Sequence, residues 1–310
     1  MTGVYANITQ QDPAVVERMA AAQEVRAASP SQRAMREAYF AEINFPNGAL
    51  VLEVGCGTGA VSRALAVWPN VAEVVGIDPS PDFIAKAKEL SAQLSNVAFR
   101  EGDGRTLDRA DASVDVVVFH TVLGQMPEPS KGLTEAHRVL KKGGWLAVFD
   151  GDYTTASIGT GDNDPLQACV DAMIDAVVAD KWLTRRLPRL IREVGFEPMP
   201  LRSYGFAETL EVEYMITVVD RGLTRWCLIG GSARSWPTRS RLKPVAVWSQ
   251  ESSSDTSPTP ASWPAGLKGG ELANASRCHD GLGQPWAAAN KLLLAERVDA
   301  GTSRDGYPAG

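Results

Sequence analysis

Between residues 49 and 150, apolar runs of strand length alternate with segments of helical pattern, which is what a parallel sheet wrapped by crossover helices requires. Strands are expected at 49–54, 73–78, 97–101, 115–120 and 144–150, and helices at about 59–68, 80–94 and 129–141. Val116-Val-Val-Phe119 is continuously apolar, as a strand buried on both faces must be. Ahead of this block, Asp12-Pro13 supplies an N-cap and a first helical residue for a helix to about Ala28. Ser29-Pro30-Ser31 breaks it, and a second helix runs from about 32 to 43. Beyond the block, 165–194 reads as helical and 196–206 as a sixth strand. The expected fold class is α/β with a doubly wound sheet at 48–220, preceded by a helical cap at 1–47 and followed by a low-order tail at 221–310.

Charge divides the chain at the same place. Residues 1–220 carry 20 Lys and Arg against 30 Asp and Glu, whereas 221–310 carry 11 against 7, which together give the net charge of −6. An acidic chain is a poor match for phosphate-driven nucleic-acid binding, so no nucleic-acid partner is expected. The tail holds 29 Gly, Pro and Ser among its 90 residues, and nothing in it reads as a further strand. That composition, with five of the eight tryptophans, is also what GC-rich coding DNA yields when read out of phase. Low order and a frameshift near Gly222 therefore stand as two readings of the tail. Four scattered cysteines without a Cys-x-x-Cys pair, and three histidines, give neither a disulfide framework nor a metal site. No signal peptide is legible, and no apolar run approaches the roughly 20 residues that span a bilayer, so a cytoplasmic protein is expected.

The chemistry concentrates at the ends of the strands. Leu52-Glu-Val-Gly55-Cys-Gly57-Thr-Gly59 carries the first strand into a glycine turn and the next helix, where a ligand can approach the backbone closely. Its Gly-x-Gly-x-Gly spacing is one residue shorter than the Gly-x-Gly-x-x-Gly of dinucleotide sites. Asp78, at the end of the second strand in Gly76-Ile-Asp-Pro-Ser80, is placed to accept two ribose hydroxyls. Asp103, in Gly102-Asp-Gly104 after the third strand, is placed to accept from an exocyclic amine.

Together with Arg138-Val-Leu-Lys-Lys-Gly-Gly-Trp-Leu146, these segments resemble the ordered motifs of class I S-adenosylmethionine-dependent methyltransferases. The similarity is strongest to the small-molecule enzymes of the ubiquinone and menaquinone type and covers about residues 30–205. It implies a Rossmann-like sheet and S-adenosylmethionine as cofactor. Glu53 and the loop Gly55, Cys56, Gly57 and Gly59 would hold the methionine end, Asp78 the ribose, and Pro79, Asp103 and Gly104 the adenine. His120 and Thr121 would lie beneath the sulfonium. The family's antiparallel seventh strand has no counterpart in 221–310 by this reading, so the sheet is expected without it.

Methyl transfer from a sulfonium needs alignment and exclusion of water, and a base only where the acceptor must lose a proton. Candidates for base or substrate contact are His120, Asp152 and Tyr153, all at carboxyl ends of strands four and five. The acceptor, a small molecule, is expected either under the N-terminal helices with Arg33, Arg36 and Tyr39, or in 153–180 with Gln167, Met173 and, just beyond, Trp182. The basic residues Lys181, Arg185, Arg186, Arg189 and Arg192 fit a solvated helix face or an acidic substrate. Rival readings are a non-catalytic scaffold that binds the same cofactor, and a nicotinamide-dependent oxidoreductase.

Overall fold

A computed structural model describes residues 4–158, 165–208 and 286–297. Strands β1 (Ala49–Val54), β2 (Val71–Asp78), β3 (Val97–Glu101), β4 (Val114–His120) and β5 (Leu140–Ser157) form the parallel part of the sheet. Helices α1 (Pro13–Ala28) and α2 (Pro30–Phe40) precede them, and a short 3-10 helix (Val4–Gln10) precedes α1. Helices α3 (Ala60–Ala66), α4 (Pro81–Leu90) and α5 (Pro129–Val139) lie between the strands. After β5 come α6 (Pro165–Val177), α7 (Leu183–Glu193), β6 (Phe196–Pro198), β7 (Arg202–Glu208) and β8 (Trp286–Arg297).

The sheet order is β3-β2-β1-β4-β5-β8-β6, with β7 also pairing with β8. The chain runs outward from β1 to β3, then returns to β4 on the other side of β1. The carboxyl ends of β1 and β4 thus flank the point where the winding reverses, and an open crevice must form there. Register brings the key residues to that edge: Glu53 pairs with both Gly76 and Val118, Asp78 with Glu101, and His120 with Phe149.

Alternation along the strands builds two cores. Val51, Val116, Val118, Ala147 and Phe149 pack with Phe40, Leu65, Val170 and Ile174 from α2, α3 and α6. Leu52, Val117, Phe119, Leu146 and Val148 pack with Leu133, Leu187 and Ile191 from α5 and α7 on the opposite face.

Two expectations change here. The sheet does have an antiparallel seventh strand: β8 lies between β5 and β6, pairing Val148 with Leu293 and Glu197 with Glu296. Its Leu292 and Leu294 join the first core, its Leu293 and Ala295 the second, so part of 221–310 belongs to the sheet. The sequence Ala-Asn-Lys-Leu-Leu-Leu-Ala-Glu-Arg is rich in helix formers and lacks β-branched residues. Only a sheet edge waiting for a partner makes a strand of it. Gly222, the point of the frameshift reading, lies outside the described residues. The sixth strand is divided in two, with Met199–Leu201 between β6 and β7.

Leu293 is 1% exposed between β5 and the α7 layer. Leu293→Ala should therefore lower the unfolding free energy by about 2–5 kcal/mol in a denaturant titration. A loss under about 0.5 kcal/mol would mean that another segment closes the sheet.

Candidate active site

The crevice at the β1–β4 switch is a cavity of about 380 Å³, within the usual range for small-molecule sites. Its floor is the loop after β1. Gly55, Gly57 and Gly59 have φ of +73°, +51° and +77°, a left-handed region that side chains rarely enter. At Gly57 a Cβ would stand 2.3 Å from Gln23 Oε1, so the loop must be bare for α1 to lie on it.

Asp78 orders this floor. Its Oδ2 accepts Gly57 N–H and its Oδ1 accepts Ser80 N–H, each at 2.9 Å. Ser80 in turn caps α4 by accepting Phe83 N–H. Burial pushes the Asp78 carboxyl up to about 6, with the two N–H donors pulling the other way. Glu53 is 2% exposed and accepts the Ser62 hydroxyl. Burial raises it to about 8, so near neutrality it holds a proton.

The β4 side supplies His120, Thr121, Val122, Gln125 and Met126. His120 is stacked on Phe149, and its Nδ1 lies 2.9 Å from the Tyr39 hydroxyl. Burial, then Arg26 and Arg36, hold the imidazole well below its usual range, so it is neutral at physiological pH. Thr121 has a φ of 57°, uncommon for a β-branched residue, and accepts Arg26 Nη1 at 3.0 Å. Asp103 and Gly104 line the third side, with Asp103 gripped by Arg105 through both carboxylate oxygens.

The roof is the N-terminal segment: Tyr5, Ile8 and Thr9, then Gln23, Arg26 and Ala27 of α1, then Gln32 and Arg36 of α2. Three consecutive polar contacts fasten α1 to the floor. Gln23 Oε1 accepts Thr58 N–H, Glu24 accepts the Thr58 hydroxyl, and Glu24 pairs with Arg63 at 2.7 Å. Arg36 Nε is buried on the cavity wall without a hydrogen-bond partner. A buried guanidinium N–H with no acceptor among the described residues is costly, and an anion is the group that would satisfy it.

Of the residues expected at the site, Glu53, Gly55, Cys56, Gly57, Asp78, Pro79, Asp103, Gly104, His120 and Thr121 all line the cavity. Gly59 packs behind it against Phe99. Asp152 and Tyr153 do not reach it. β5 continues to Ser157, which carries both away from the crevice. Asp152 accepts the Thr154 hydroxyl and faces Arg185, while Tyr153 packs against the first core. The described residues of 153–180 take no part in this cavity: Met173 is core, and Gln167 bonds the backbone of Ile158 and Ala156. Arg33 is tied to the Ala28 carbonyl, and Trp182 is half exposed. Four of the five basic residues of the α7 region have acidic partners: Lys181 with Asp175, Arg185 with Asp152, Arg186 with Asp180, and Arg189 with Glu193. Gln23, Arg26, Gln32 and the β4-side Gln125 and Met126 went unnoticed in the sequence, since no motif marks them.

Residues 52–148 match the family described as methyltransferase domain. Among curated relatives, the demethylmenaquinone methyltransferase of Staphylococcus aureus is 34% identical over 125 residues, 40% of this chain and 52% of that protein. An arsenite methyltransferase of Halobacterium salinarum is 33% identical over 158 residues, 50% of this chain and 39% of that one. The chain spans less than two thirds of the length of either. Among solved structures, the YcgJ protein of Bacillus subtilis superposes with a TM-score of 0.54 at 13% identity, over 86% of this chain and 98% of that one. The 4+2 cyclase SpnF superposes at 0.51 and 18%, over 88% and 85%. These two likenesses are of fold alone, and they cover chemistry as different as a cyclisation.

The raised carboxyl of Glu53 has a consequence for stability. Its proton is bound more tightly in the folded chain than at the ordinary value of 4.5, so the stability it contributes is full below that value and lost as pH rises through about 8. Glu53→Gln should become more stable relative to the parent as pH climbs from 5 to 9, by a few kcal/mol at the top of the range. Thermal melts across that range would show the two curves diverging; parallel curves would mean that Glu53 is ionised in the folded chain.

Proposed function

We propose that this chain, which carries a class I S-adenosylmethionine-dependent methyltransferase domain, transfers a methyl group to a small-molecule acceptor inside the roofed cavity. The observation that carries the reading is that Glu53 and Arg36, whose Nε has no hydrogen-bond partner among the described residues, line one cavity close enough for their charges to interact. A protonated amine and a carboxylate on the same carbon answer both groups at once, and an amino-acid end is what the cofactor presents. The fit extends along the floor. Each oxygen of Asp78 already accepts one backbone N–H and keeps a second lone pair for a ribose hydroxyl. Asp103 and Gly104 stand where an adenine edge would lie.

When bound, S-adenosylmethionine supplies an electrophilic methyl carbon on a positively charged sulfur. The chain's own contribution is positional. Gly57 and Ser80 hold the Asp78 carboxylate in one orientation, Ser62 orients Glu53, and Phe149 and Tyr39 fix the plane of His120. The roof excludes water from the reacting centre, which strengthens each of these interactions. Acceptor and donor held in line within such a cavity can gain several kcal/mol from orientation alone. The roof also bounds the acceptor, which has to share a cavity of about 380 Å³ with the cofactor.

Calorimetric titration with S-adenosylhomocysteine tests the reading. Binding is expected, weakened at least tenfold by Asp78→Asn, which replaces an acceptor oxygen with an amide. Because Glu53 must ionise to face an ammonium group, binding near pH 7 should release a proton and tighten as pH rises toward about 8. Titrations in buffers of different ionisation enthalpy would reveal that release. No binding by a folded protein would overturn the proposal.

A further inference from the structure

The hydrogen-bonding direction of the β4 wall is set by one buried pair. Tyr39 is fully buried, and its hydroxyl makes one hydrogen bond, 2.9 Å to His120 Nδ1. Were Nδ1–H the donor, the phenol O–H would be stranded in the core with no acceptor among the described residues, which burial makes costly. With the phenol O–H donating to Nδ1, both groups are satisfied and the ring proton resides on Nε2. A ring protonated on both nitrogens is opposed by burial and by the two nearby guanidinium groups. Tyr39 from α2 bonds the ring, Arg36 from α2 and Arg26 from α1 act on it, Glu53 at the end of β1 acts on Tyr39, and Arg26 acts on Asp150 in β5. Of these, Tyr39 alone bonds a ring nitrogen.

His120 lines the cavity, and among the described residues its ring makes one hydrogen bond, through Nδ1, so Nε2–H is left for a ligand. Beside it, Thr121 Oγ1 accepts Arg26 Nη1, so its own proton is available to donate. The Arg26 guanidinium is a donor by chemistry. His120, Thr121 and Arg26 therefore present donors side by side here, with positive charge behind them. This wall is suited to hold negative oxygen and unsuited to take a proton.

Building on the methyl-transfer reading, we propose that the acceptor is a small acid whose reacting group is already an anionic oxygen, a carboxylate or an acidic phenolate, positioned by His120 Nε2–H, the Thr121 hydroxyl and Arg26. In the transfer, a lone pair of that oxygen forms the new O–C bond to the methyl carbon. The carbon–sulfur bond breaks with its electron pair going to sulfur. Anion and sulfonium become a neutral methyl ester or ether and a neutral thioether, and no proton has to move. A base is thus unnecessary, and His120 acts as a donor.

The first test reads the parent protein directly and uses a variant only to assign its signals. Imidazole ¹⁵N shifts of the labelled protein, with S-adenosylhomocysteine added and the His120 signals identified by their loss in His120→Gln, report which nitrogen carries the proton. The expected result is a protonated Nε2 and an unprotonated Nδ1. A proton on Nδ1 would overturn the proposal while leaving the methyltransferase reading intact, because cofactor-product binding is read in the same sample. The second test supplies S-adenosylmethionine with small carboxylic acids and acidic phenols, against amines and alcohols of matched shape. Methyl ester or ether products are expected from the acids alone, with a pH dependence that follows each acid's own ionisation. His120→Gln, which keeps a donor at the same reach, should retain turnover within about tenfold, while His120→Ala raises KM for the acid more than it lowers kcat. Turnover of amines in preference to acids would overturn the assignment. If no compound of either class reacts, the position of the ring proton decides it.

Discussion

The site depends on a single buried carboxylate that is pulled on from two sides. Asp78 sits at the end of β2, where its two oxygens collect a backbone N–H from the glycine loop after β1 and another from the turn that starts α4. Both loops are thereby fixed relative to each other at the one place in a doubly wound sheet where a crevice must open. Removing this tie would leave two N–H groups without acceptors in a buried setting, each costing about 1–3 kcal/mol. The burial that raises Asp78 toward neutrality is the same burial that makes its hydrogen bonds strong. Structure and ligand recognition are therefore invested in one group.

Above that floor the roof is fastened differently. The residues Ile8, Val16, Met19 and Ala20 form a small cluster with Phe83 that is separate from the two cores around the sheet. The polar fastenings, from Gln23, Glu24 and Arg26, all come from little more than one turn of α1 and end on Thr58, Arg63 and Thr121. A roof with its own satellite core and a few hydrogen bonds opens at lower cost than the sheet unfolds. This matches a cavity whose ligand has to pass beneath the N-terminal segment to reach Asp78.

What was legible in the sequence was local. Strand ends, the glycine turn and the acids at 53, 78 and 103 are all specified within a few residues of one another, and β1 and β3 fall on their expected bounds. What was illegible depended on distant partners. β8 looks like a helix until it meets the open edge of β5. Asp152 and Tyr153 sit only two and three residues beyond Asp150, but continuation of β5 turns them to other neighbours. Gln23, Arg26 and Gln32 become cavity residues only because α1 and α2 fold over strands that lie far along the chain, and helix periodicity carries no trace of that.

The charges in the cavity are sorted. The acids Glu53, Asp78 and Asp103 lie along β1, β2 and the turn after β3, whereas Arg26, Arg36 and the donor edge of His120 lie along α1, α2 and β4. A zwitterion or a cation is welcome on the first wall, and an anion on the second. The buried Tyr39 hydroxyl is what fixes the second half of that arrangement, because its proton has nowhere to go except His120 Nδ1. A base in this position would need an imidazole able to accept a proton at Nε2, and burial, then the Arg26 and Arg36 guanidinium groups, oppose that. The geometry that denies His120 a role as base is the same geometry that lets it hold an oxygen that needs none.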